Sequence, residues 1–124
     1  MNEIPVNPAA GVRLRALFTD CAGTVISSAD VSAAYYTVWV LNTWAGTKAA
    51  VPNHNNVTIP LTSFLSSVTE DPETEQNYNF SYEISAITSP PFPSNNTHYV
   101  IEVVAKDTNG EPHAEYIPCF STMG

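Results

Sequence analysis

Three histidines, two cysteines and one dense acidic segment carry most of the metal-binding and catalytic potential of this 124-residue chain. His54, His98 and His113 stand 44 and 15 residues apart, with no H-x-x-x-H or C-x-x-C partner. Structural zinc sites show tight ligand spacing, so the three read as structural or surface histidines. His113 and Cys119 fall on one expected strand but too far apart to share a chelate. Glu70, Asp71, Glu73 and Glu75 form the densest charge cluster. A calcium loop would alternate its oxygen ligands and bend at a glycine, whereas Pro72 interrupts this run, which therefore reads as a solvated loop. Acids on one loop also lack the fixed separation across a cleft that glycoside hydrolysis requires. Serines are plentiful, but no G-x-S-x-G elbow is present. No catalytic, cofactor-binding or metal residue is assigned, and the expectation is a protein that is not an enzyme and uses no cofactor.

Other reactive groups invite equally plain readings. Asn56-Val57-Thr58, Asn79-Phe80-Ser81 and Asn95-Asn96-Thr97 match the glycosylation pattern but carry no weight without a secretory route. Met1-Asn2-Glu3 places an acid where a secretory signal is basic, so assembly in a reducing cytoplasm is expected. Cys21 and Cys119 would be within disulfide reach if the first and last strands lay side by side and parallel, as in many Ig-like sandwiches. In a reducing compartment, free thiols are the expectation. Tyrosines and tryptophans such as Tyr35, Trp39 and Tyr116 alternate along strands, a pattern more often found in cores than on sugar platforms. Trp44 is the exception. It sits in a polar loop beside Gly46 and reads as a contact residue, for protein in preference to sugar, because tryptophan is enriched at interface hot spots.

The elements that must position these residues are strands. Thr97 to Pro118 reads as two strands over the turn Asp107-Thr108-Asn109-Gly110, where Asn and Gly tolerate positive φ. Val12, Leu14, Ala16 and Phe18 alternate with Arg13, Arg15, Leu17 and Thr19. Tyr78, Phe80, Tyr82 and Ile84 alternate with Asn77, Asn79, Ser81 and Glu83, which predicts a half-exposed strand. Ala34 to Leu41 has little polar alternation and suits a strand covered on both faces. Residues 42–56 read as a polar loop or loose hairpin, and 62–69 as either a short helix or a strand. Ser89 to Asn96 is a proline-stiffened crossover. The predicted fold is all-β: a single antiparallel, Ig-like β-sandwich of six to eight strands, with Val38, Phe80, Tyr82, Ile101 and Val103 in the core. Residues 1–11 form an extended arm, 12–118 the sandwich and 119–124 a tail.

Composition narrows the partners. Four Lys and Arg against twelve Asp and Glu give a net charge of −8, which argues against nucleic acid as a direct partner. Arg13 and Arg15 share one strand face and are expected to pair with acidic neighbours. Apolar runs are strand-sized, so no membrane helix is predicted. Charged residues make up only 13% of the chain, against roughly 25% in typical soluble domains. Ser, Thr and Asn must supply the surface polarity, a composition common in extracellular and virion β-proteins.

The layout resembles that of small virion proteins of tailed bacteriophages. The segments that carry the resemblance are the proline-bearing arm, VRLRALFTDCAGTVI, YYTVWVLN, VTIPLTSFLSSVTEDP, YNFSYEI, the PPFPSNNTHYVIEVV crossover and the closing hairpin. It implies a non-enzymatic structural subunit, a capsid decoration or cement protein or else a neck or tail component. Such a subunit would assemble in the host cytoplasm and reside in the virion as a homo-oligomer. Its partners would be the major capsid protein or neck and tail subunits, with no direct contact to nucleic acid or membrane. Partner contacts are expected at Ile4, Pro5, Val6 and Pro8 of the arm, at Trp44 and at Phe120, although the arm would alternatively add an edge strand to its own sandwich. The competing reading is a carbohydrate-binding or adhesive β-sandwich module.

Overall fold

Among the described residues, period-two patterning with β-branched and aromatic residues on the inward positions builds nine strands that sort into two sheets around one core. The computed structural model describes residues 4–7, 10–20, 22–42, 46–70, 77–87, 89–94 and 96–121. In the larger sheet the order is β1 (Ile4–Val6), β9 (Pro112–Ser121), β8 (His98–Asp107), β3 (Val31–Asn42) and β4 (Thr47–Ala50), with β5 (Val57–Thr58) also pairing with β3. In the smaller sheet β7 (Asn77–Ile84) lies between β2 (Val12–Ala16) and β6 (Phe64–Glu70). Every described strand pair is antiparallel except β1 on β9. The described secondary structure holds no α-helix, only 3-10 turns at Ser28–Asp30 and Leu61–Ser63. The fold is an antiparallel β-sandwich, as its patterning predicts.

Both sheets contribute to the core. Leu14, Phe64, Phe80 and Ile84 of the smaller sheet meet Tyr36, Val38, Ile101, Val103 and Ile117 of the larger. Burying one such side chain contributes about 1.5–3 kcal/mol. Phe18 sets its ring edge-on to Phe64 and Phe80, each at 5.4 Å. Of the expected core, Val38, Phe80, Ile101 and Val103 are fully buried. Tyr82 is only partly buried, packed against the core with its ring 5.8 Å from Tyr36.

Several local expectations need correction. The arm is not free. Ile4, Pro5 and Val6 pair with Cys119, Phe120 and Ser121, and Val6 turns into the core. Cys119 and Phe120 belong to β9 and not to a tail, because they are held between Tyr99 and His98 of β8 on one side and Ile4 and Pro5 of β1 on the other. Cys119 is buried, its thiol directed at the Ile117 carbonyl. The strand beside β9 is the arm, whereas β2, which leads towards Cys21, lies in the other sheet. Cys21 itself is outside the described residues. Of the two readings of 42–56, the structure bears out the hairpin, with β4 folded back antiparallel on the end of β3, and of the two readings of 62–69 it shows the strand, led by a 3-10 turn.

The turn at Asp107–Gly110 lies where expected but has a different geometry. Only Gly110 has positive φ, +85°, while Asn109 does not. The Gly110 amide donates to the Asp107 carbonyl at 2.9 Å. The Asp107 Oδ1 accepts from the amides of Asn109 and Glu111. A side chain that caps two turn amides favours this arrangement over a mirror-image Asn-Gly turn.

Asn79 is the largest departure from the pattern. Alternation places it on a solvent face, yet it is fully buried. Its Oδ1 accepts from the Phe18 amide at 2.8 Å, and its Nδ2 donates to the carbonyls of Phe18 (3.2 Å) and Ile26 (2.5 Å). The chain between β2 and Ser28–Asp30 folds over the sheet at this point and is fastened there by one amide side chain. Unless the domain opens, Asn79 is also inaccessible as a glycosylation acceptor.

Candidate interaction face

The two outer faces of the sandwich differ in chemistry. On the smaller sheet Arg13 reaches Glu83 at 3.3 Å and Ser81 at 3.4 Å, and Arg15 lies over the Tyr78 ring at 5.2 Å. The expected acidic partner exists for Arg13, and Arg15 lies over an aromatic face. These charged and polar groups keep that part of the surface solvated.

The outer face of the larger sheet differs. Register places Glu102 between Thr37 and Tyr116, and Val100 between Trp39 and Pro118. His98 pairs with Phe120, their rings 4.8 Å apart, and Phe120 pairs in turn with Pro5. Tyr116 is 51% exposed, and Tyr35, Trp39, Val100, Pro118 and Phe120 are half-buried. No described strand or helix stacks on this face. Strand rise and spacing give it on the order of 700 Å², close to the roughly 800 Å² per partner of a standard protein interface.

Glu102 is the acidic centre of the face. Trp39 Nε1–H donates to its Oε1 at 3.3 Å. The Tyr116 hydroxyl also donates to this carboxylate, which raises the phenol above its ordinary range. Lys48 sets its ammonium over the Trp39 ring, 4.3 Å from the centroid. Both rings are therefore held in place before any partner arrives, which lowers the entropy cost of docking.

The expected contact residues are divided by the structure. Pro5 and Phe120 come together at the β1 side of this face, and Ile4 lies beside them at the sheet edge, 37% exposed. Val6 is buried in the protein's own core and is not available to a partner. Pro8 and Trp44 lie outside the described residues. Tyr35, Trp39 and Tyr116, expected in the core, instead line the open face. Their signal was present in two strands. In β3, Tyr35 and Trp39 alternate with Tyr36 and Val38, and in β9, Tyr116 and Phe120 alternate with Ile117 and Cys119. Both strands are apolar on two faces, but the described sandwich covers only one.

The histidines separate by environment. His54 is buried, with Nε2–H donating to the Ser89 carbonyl at 2.9 Å and Nδ1 accepting from the Tyr36 hydroxyl at 2.8 Å. It ties the crossover to the large sheet and is a structural histidine. Burial, with the neighbouring Tyr82 adding to it, pushes the Tyr36 phenol up to about 12. His113 lines a separate cleft of about 240 Å³ together with Asp20, Asp30 and Asp107. Its Nε2 lies 3.1 Å from Asp107 Oδ2. This bond, followed by the Glu111 amide, holds the Asp107 carboxyl below its usual range. Among the described residues lining this cleft there is neither Ser nor Cys.

No family model matches this chain, and neither a curated protein nor a solved structure matches it significantly.

Proposed function

We propose that this protein is a non-enzymatic structural subunit that assembles through the open face of its larger sheet, and that its setting is a bacteriophage virion. The favoured role is capsid decoration or cement, with a neck or tail component as the near variant. One observation carries the proposal: the outer side of the larger sheet gathers the exposed Tyr116 and the half-buried Tyr35, Trp39, Val100, Pro118 and Phe120 around Glu102. Contiguous apolar side chains left open to solvent mark interaction sites. Orderly rings around a single carboxylate suit a protein partner with an apolar patch and a complementary cation. The parallel contact of the first and last strands is also compatible with an Ig-like sandwich, in keeping with the layout-level resemblance to phage virion proteins.

Ala114 is exposed on this face, opposite Val104. Ala114→Arg should leave stability within about 0.5 kcal/mol while blocking assembly. Co-expression of the full chain with the capsid, neck and tail proteins of one phage, chosen by sequencing the neighbourhood of its gene, should yield a complex that Ala114→Arg abolishes. Failure of the unsubstituted protein to join any of them would refute the proposal, as would undiminished assembly by the variant.

A second reading is favoured by Trp39 and Tyr116 bracketing Glu102, since two rings and a carboxylate on one flat face can also receive a sugar. A glycan array that returned a defined ligand, lost on Trp39→Ala, would establish a carbohydrate-binding or adhesive module instead.

A further inference from the structure

The β8–β9 turn draws together three side chains that no linear motif marks. The carboxylates of Asp107 and Glu111 and the imidazole of His113 place their donor atoms within 4.8 Å of one another. We propose that these three residues bind a borderline divalent cation of the Zn²⁺ type.

The argument rests on donor type, fixation and surroundings. An imidazole nitrogen combined with carboxylate oxygens suits Zn²⁺, whereas Ca²⁺ takes six to eight oxygens and no nitrogen. Asp107 Oδ1 is engaged by the amides of Asn109 at 2.9 Å and Glu111 at 3.0 Å. Its other oxygen, Oδ2, is thereby turned towards His113, 3.1 Å from Nε2. His113 stands on a strand, paired with Ala105 across the hairpin, and its side chain is only 13% exposed. Two of the three ligands are thus positioned before a metal arrives, and the carboxylate of exposed Glu111 already lies within 4.8 Å of both. The neighbouring cleft adds Asp20 and Asp30 and no lysine or arginine among its described lining residues, so its potential favours cations. Binding uses the Nε2 lone pair, so a neutral His113 carries its single proton on Nδ1 in the complex, and a protonated one gives its Nε2 proton to water. Three protein ligands leave a fourth tetrahedral position for water or a partner's side chain.

The chelate would pin the turn that joins β8 to β9. It lies outside the open sheet face, so it stands or falls independently of the assembly proposal.

Isothermal titration of the full chain with Zn²⁺ near neutral pH tests the site. One Zn²⁺ should bind per chain, and Zn²⁺ should raise the unfolding temperature. Glu111→Gln and His113→Gln should each weaken binding by about tenfold or more, while His98→Gln should leave it unchanged. Glutamine at 113 still donates to Asp107, and Glu111 is exposed, so both variants should retain the fold. Should His113→Gln fail to fold, Glu111→Gln decides alone. Absence of saturable Zn²⁺ binding by the unsubstituted protein overturns the proposal, and so does unweakened binding by Glu111→Gln or by a folded His113→Gln.

Discussion

Asp20 and Asp107 perform the same task in two turns that line one cleft. Asp20 Oδ1 accepts from the amides of Ala22 and Thr24, each at 2.9 Å. Asp107 Oδ1 accepts from those of Asn109 and Glu111, at 2.9 and 3.0 Å. In both turns the amide of the residue three positions on donates back to the aspartate carbonyl, and that residue is a glycine with positive φ, +83° at Gly23 and +85° at Gly110. The same D-x-x-G turn is thus used twice, far apart in sequence.

Alanine at either glycine meets no atom within 4 Å, so any penalty comes from the left-handed backbone alone. Gly23→Ala and Gly110→Ala should each cost about 1–2 kcal/mol. Chemical denaturation of both single variants and the double variant checks this. Additive losses are expected if the two turns act independently.

Asn79 should be far less tolerant. Replacing it with alanine removes partners from the Phe18 amide and from the carbonyls of Phe18 and Ile26, in a site closed to solvent. A loss of about 3 kcal/mol or more is expected. Asn79→Asp should be worse, since a carboxylate would face two carbonyl oxygens. Thermal melts rank the variants.

Tyr36 predicts the alkaline limb of stability. Its phenol ionises near 12 in the fold and near 10 when exposed, so the fold favours the protonated form. The contribution is complete below about pH 10 and is lost as pH rises from 10 towards 12. Tyr36→Phe should flatten that part of the stability profile and remove the late transition from an absorbance titration. At neutral pH it should cost about 1–2 kcal/mol, because His54 Nδ1 loses its donor.

Removing residues 1–10 should destabilise the domain. Val6 leaves the core, and the β9 edge loses its parallel partner. Loss of the valine alone is worth about 1.5–3 kcal/mol. A truncated protein with an unchanged melting temperature would show that β1 adds nothing to the fold.

Gly11 limits how β2 can start. A Cβ there would overlap the Ile84 carbonyl oxygen, so Gly11→Ala should lower the melting temperature by pushing the start of β2 away from β7.

Residue type and alternation located β2, β3, β7, β8 and β9 and four of the expected core residues, because a period of two survives in any register. They left β1 as an arm, β4 as part of a polar loop or loose hairpin and β6 undecided between helix and strand. They also located the turn at Asp107–Gly110, whose residue types carry their own geometry. They did not determine which face of a strand meets the second sheet. Tyr99 and Tyr116 both alternate in strands of the same hairpin, yet one is fully buried and the other half-exposed. Only the stacking of the sheets separates them, and that stacking leaves Trp39, Glu102 and Tyr116 together on the open side. Asn79 reads as a solvent-facing residue until the chain around Phe18 and Ile26 folds over it. Val6 reads as part of a free arm until β9 offers it an edge. Asp107, Glu111 and His113 converge because the glycine turn folds the chain back on itself, and that reversal sets a distance that no linear spacing records.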